Sequence, residues 1–131
     1  MANLCDDPTC RRNTLMAAGN GHLDCLEYAH RNGGQWHPDT TRVAASNGHL
    51  ECLECAHLNG CPWDPETTRT AAKYGRLNCL EYIFEYCGDV VTWENAGLMN
   101  TDRFPKESKE FIEKVKEEWK RGDVRAKNIK G

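Results

Sequence analysis

Eight cysteines and five histidines in 131 residues are the side chains best able to do chemistry. Cys52-x-x-Cys55 has the spacing of a zinc or dithiol pair. His22-x-x-Cys25 and His49-x-x-Cys52 put an imidazole and a thiol one helical turn apart, an arrangement that an activated cysteine nucleophile uses. Each pattern also has a plainer meaning. A tetrahedral structural zinc site needs a second ligand pair at suitable spacing, and none stands out. A catalytic dyad is needed once, whereas the His–Cys pair occurs twice. No glycine loop for phosphates, no carboxylate pair with an acidic role and no basic–aromatic interleaving is visible. The expectation is no catalytic residue, no cofactor and no bound metal.

Internal repetition explains these patterns better. Residues 21–47 read GHLDCLEYAHRNGGQWHPDTTRVAASN, and residues 48–74 read GHLECLECAHLNGCPWDPETTRTAAKY, a gapless register of 27 residues. A third copy opens at Gly75 as GRLNCLEYIFEYCG, and Asn13 to Asn20 matches Thr40 to Asn47. Cys25, Cys52 and Cys79 are register partners on an apolar stripe, where a thiol behaves as a small hydrophobe. Cys55 stands where the other copies have Tyr28 and Tyr82, and Arg76 replaces the histidine in the third copy. His30 and His57, matched by Phe84, read as packed or half-exposed helix residues.

The elements that position these residues follow from spacing. Leu23, Cys25, Leu26 and Ala29 recur as Leu50, Cys52, Leu53 and Ala56, then as Leu77, Cys79, Leu80 and Ile83, at helical steps of three and four. Asn32-Gly33 and Asn59-Gly60 should end these helices by taking the left-handed conformation. Pro38-Asp39 and Pro65-Glu66 should open short helices, Thr40 to about Ser46 and Thr67 to about Lys73. Ala44-Ala45 and Ala71-Ala72 allow close approach of two helices, and Gly21, Gly48 and Gly75 turn the chain back. One helix pair cannot bury its own stripe, so such units stack in arrays of about three or more.

The phrase Ala-Ala-x-x-Gly-His-Leu-Glu-Cys-Leu-Glu, Ala44 to Glu54, resembles the inter-helix turn and second helix of ankyrin repeats. The period, the phrase Asn-Gly-Cys-Pro-Trp-Asp (Asn59 to Asp64) and the Thr–Ala-Ala first helix resemble a short ankyrin variety found in large DNA viruses of amoebae and algae, and in some algae and oomycetes. The chain lacks the Thr-Pro-Leu-His signature and has too few residues for long β-hairpin fingers, so compact loops are expected. The resemblance implies an all-α, ankyrin-like helix–turn–helix solenoid. Residues 1–103 would form the array, with units near 13–20, 21–47, 48–74 and 75–101, residues 104–122 a capping helix and 123–131 a polar tail. Thr92 to Asn100 reads as a degenerate first helix of a fourth unit. Pro105 opens the C-terminal helix and Gly122 stops it, with Phe111, Ile112, Val115 and Trp119 on one side. An array needs an end face that suits water, so this helix reads as a cap, with docking in a partner's groove as the alternative.

Net charge is −3, with −6 in residues 1–101 and +3 in residues 102–131, which is not the basic footprint of a nucleic-acid binder. Met1 to Pro8 lacks the order of a secretory signal, and no apolar run reaches the ~20 residues of a membrane span. An intracellular, non-membrane, monomeric protein with reduced thiols is expected, in a cytoplasm or, given the resemblance, a host cytoplasm or virion. The expected function is non-catalytic binding of another protein, with a structural part of a larger assembly such as a viral particle as the alternative. Positions that change between copies suggest the contact surface: Gln35 against Pro62, His37 against Asp64, Arg31 against Leu58 and Ser46 against Lys73. Trp36 and Trp63, beside the loops, are candidate anchors as well as packing residues. Candidate binding residues are therefore Gln35, Trp36, His37, Trp63, Asp64 and Lys73. Cys5 and Cys10 have no role in this reading.

Overall fold

The computed structural model describes residue 10 and residues 12–64, 66–86 and 101–120, with residues 119 and 120 as backbone only. Cys5, Pro65, Thr92 to Asn100, Gly122, the 123–131 tail and the Trp119 side chain lie outside the described residues. The described elements are helices: α1 (Thr14–Asn20), α2 (Leu23–Arg31), α3 (Thr40–Ser46), α4 (Leu50–Leu58), α5 (Thr67–Lys73), α6 (Leu77–Tyr86) and α7 (Lys106–Lys120). No strand occurs among the described residues, and none of their helices is long and apolar enough to cross a membrane. The chain divides into two compact units, Met1–Asp64 and Pro65–Gly131.

In the first unit α1 packs on α3 and α2 on α4, so equivalent helices of successive copies lie side by side. Ala17, Ala18, Ala44 and Ala45 are fully buried, and their lack of bulk lets the short helices approach closely. Cys25, Leu26, Cys52 and Leu53 fill the space beneath them. The turns that reverse the chain use one hydrogen-bond pattern. The His22 amide donates to the Ala17 carbonyl at 3.0 Å and the His49 amide to Ala44 at 2.9 Å, closing off the end of each short helix. Gly21 allows this at φ 73°, and a Cβ there would also lie 2.6 Å from the His49 ring.

The longer helices end differently from the sequence expectation. Asn32 and Asn59 keep negative φ, −95° and −103°, and the following glycines take the left-handed conformation. Each asparagine side chain donates back to the carbonyl four residues earlier, Tyr28 or Cys55, at 2.7 Å. That bond satisfies a terminal carbonyl without the steric cost of a left-handed non-glycine residue.

One bond recurs in the repeat register and stitches successive copies. The His37 amide donates to Thr14 Oγ1 at 3.2 Å, and the Asp64 amide donates to Thr41 Oγ1 at 3.2 Å. The Thr14 hydroxyl donates its own hydrogen bond to the Gln35 carbonyl at 2.9 Å, so the loop is held at two points. Both threonines are buried. The compact loops expected in place of hairpin fingers are therefore fastened to the preceding short helix.

In the second unit Thr67, Thr68, Ala71 and Ala72 of α5 are buried, as are Cys79, Leu80, Tyr82, Ile83 and Phe84 of α6. Leu77, the first residue of the expected stripe, stays 36% exposed. The reason lies in α7, whose Phe111 ring meets Phe84 at 5.8 Å, two turns further along the stripe. Ile112 and Val115 are fully buried on the same side of α7, while Phe111 is half-buried. Thr101 donates to Glu113 at 3.2 Å, and Lys109 pairs with Asp102 at 3.3 Å, tying the helix to the residues that precede it. Replacing Ile112 by alanine should lower stability by about 2–5 kcal/mol, the scale for emptying a core aliphatic position. Urea melts would measure it, and a loss below about 0.5 kcal/mol would show that α7 does not share the core.

Candidate functional site

The loop residues singled out by the repeat comparison turn out to be heavily engaged. Trp36 stacks on His30, with ring centroids 4.8 Å apart, and its indole N–H donates to the Asn59 carbonyl at 3.2 Å. It thus joins the loop of one copy to the helix end of the next. Trp63 meets His57 edge-on at 5.8 Å, the register equivalent of the first stacking. His37 Nδ1 accepts from the Asp39 amide at 3.0 Å, steadying the start of α3. Asp64 has a side chain only 11% exposed and pairs with Arg42 at 3.2 Å, while Arg42 also holds Asp39 at 3.0 Å. Gln35 is exposed with its carbonyl taken by Thr14. Lys73 is exposed, its ammonium 5.5 Å from the Tyr74 ring. Of this set, Gln35, His37 and Lys73 are exposed, whereas Trp36, Trp63 and Asp64 are half-buried.

A different surface of the first unit is concave. The exposed sides of α2 and α4 form a groove of about 440 Å³. Leu23, Glu27 and Arg31 line it from α2, and Glu51, Glu54, Cys55 and Leu58 from α4. Leu58 is 76% exposed, occupying the position that Arg31 holds in the preceding copy. Three carboxylates against one guanidinium make the groove acidic, and Arg31 lies 3.9 Å from Glu27. The field is felt by the thiol in its wall: burial pushes the Cys55 thiol up, and the Glu27 charge adds to the effect. The sequence comparison named the change from Arg31 to Leu58 and noted Cys55 in place of Tyr28, but the candidate set kept to the loops and left these helix residues out.

The thiols show what the Cys52-x-x-Cys55 spacing does. Cys52 is buried, and desolvation, followed by its neighbours Cys55, Glu51 and Glu27, pushes it up to about 12. A reactive or metal-binding cysteine needs the opposite shift, toward thiolate. Burial likewise pushes Cys61 and Cys79 up to about 11 each. The first copy differs. Cys10 Sγ lies 3.3 Å from His22 Nδ1, and Cys10, His22 and Cys25 offer ligand atoms all within 4.8 Å of one another. No disulfide joins the described cysteines. Comparison with family models, curated proteins and solved structures returns no match.

The raised thiols give a measurable consequence. At pH 8 the thiolate fraction of Cys52, Cys61 and Cys79 should be roughly 10²–10³-fold below that of an ordinary thiol, and alkylation of the folded chain should be slowed accordingly. Their folded values lie above the unfolded one. Their stabilising contribution is therefore complete below the ordinary thiol value and lost as pH rises toward about 11–12. Mass spectrometry of the alkylated folded chain checks this, and rapid modification of Cys52 would contradict its burial.

Proposed function

We propose that this chain is a protein–protein interaction module built on ankyrin-like repeats, with no catalytic activity of its own, and that its first unit takes a basic segment of a partner protein in the α2–α4 groove. The observation that carries this reading is the groove's composition. Glu27, Glu51 and Glu54 surround exposed leucine surface at Leu58, and neither Glu51 nor Glu54 makes an ion pair among the described residues. Apolar contact flanked by unneutralised charge gives a partner both binding area and orientation. The recurring Thr14 and Thr41 bonds hold the loop backbone whichever side chain stands there, His37 or Asp64, which leaves side chains that differ between copies able to set specificity. In the same reading α7 is the cap that presents a charged outer face to water. Buried thiols in this number suit a reducing, intracellular compartment.

The test uses a partner recovered by affinity purification on the full chain. Joint reversal of Glu51 and Glu54 to lysine should weaken its binding at least tenfold, about 1.4 kcal/mol, without moving the melting midpoint. Wild-type binding should also weaken as salt is raised. Unchanged affinity in the double variant would remove the groove from the account. Recovery of the chain only with large particles would favour a structural component of an assembly.

A further inference from the structure

We infer that Cys10, His22 and Cys25 form a binding site for one thiophilic metal ion, with zinc(II) the ion that their donor set fits. The spacing Cys10-x₁₁-His22-x₂-Cys25 does not resemble a paired CxxC motif, and only the fold brings the three together. Zn–S bonds of about 2.3 Å and Zn–N bonds of about 2.0–2.1 Å give tetrahedral ligand separations of roughly 3.5–3.8 Å. The observed sulfur-to-nitrogen distance of 3.3 Å, with all three ligand atoms inside 4.8 Å, already outlines one face of that tetrahedron. Small shifts of side chains would complete it. Cys10 and Cys25 are fully buried while His22 is exposed, so the three donors lie at the boundary between core and solvent, and water can serve as the fourth ligand. Two thiolates and an imidazole favour zinc and exclude the hard cations magnesium and calcium.

The repeat supplies an internal control. His49 shares the register position of His22, yet its ring lies against the backbone turn at Gly21. His22 instead faces a sulfur contributed by a residue outside the repeating part of the chain. A core position accounts for Cys25, as it does for Cys52 and Cys79. It does not account for a second buried thiol and an imidazole gathered around it. Bound metal would tie the segment carrying Cys10 to the turn that opens α2, and the binding free energy would add to folding stability.

The experiment titrates the full chain, kept reduced with a phosphine, first with cobalt(II) as a spectroscopic probe and then with zinc(II). The site predicts a thiolate-to-cobalt charge-transfer absorption that saturates at one ion per chain, is displaced by zinc, and accompanies a rise in melting midpoint. His22→Gln removes an exposed ring without hollowing the core. It should weaken zinc binding about a hundredfold or more, since even outer-shell partners of a metal ligand are worth 10–100-fold. Cys10→Ser should abolish the saturable band, while His49→Gln should leave binding unchanged. Circular dichroism of each variant verifies that the fold persists. Absence of the band in the reduced wild type, or a band that survives both Cys10→Ser and His22→Gln, would overturn the site.

Discussion

A buried threonine hydroxyl that receives an amide proton from 23 residues further along the chain is the constraint on which the first unit depends. An amide removed from water and left unpaired costs about 1–3 kcal/mol, as does an unsatisfied hydroxyl, so the two groups oblige one another. Meeting that obligation fixes where each loop must land. The loop at Gln35 to His37 is drawn onto the start of α1, and Trp36 is thereby carried across to the end of α4. The short helices can lie close enough for these bonds because their contact faces are alanine. A larger residue at Ala17 or Ala44 would separate the helices and lengthen the bonds it sits between.

This arrangement divides the repeat into two populations of side chains. Residues that recur, such as the alanine pairs and the core cysteines, fill the inside of the unit, and the Thr14 and Thr41 hydroxyls take up the loop amides. Several residues that differ between copies fall on the outer sides of α2 and α4, where Tyr28 gives way to Cys55 and Arg31 to Leu58, and others lie in the loops. Because the backbone polar groups are settled by the recurring set, the outer set can change its charge and shape at little cost to folding. That separation is what the proposed binding role would draw on.

Much of the fold was legible in the sequence. The 27-residue register, the helical spacing of Leu23 to Ala29 and the proline–acid pairs locate the helices nearly to the residue. What the register could not show is which side of a loop faces inward. His37 and Asp64 differ between copies and so looked like free tips, yet both amides carry the stitch, and the Asp64 carboxylate is held by Arg42. A variable side chain can sit on an invariant backbone bond, and a sequence records only the side chain. The groove was hidden for a related reason, since its walls come from helices one period apart. Cys10 was hidden for the opposite reason: it has no matching residue in the repeat to declare its neighbours.

The central claim, that buried threonine-to-amide bonds fasten each loop as firmly as the helices they join, is tested most directly by amide hydrogen exchange in the folded chain. The account predicts that the His37 and Asp64 amides exchange only when the unit unfolds, with protection matching that of the α1 and α3 core amides. Exchange of these two amides at the rate of open loops, while the helices stay protected, would contradict it.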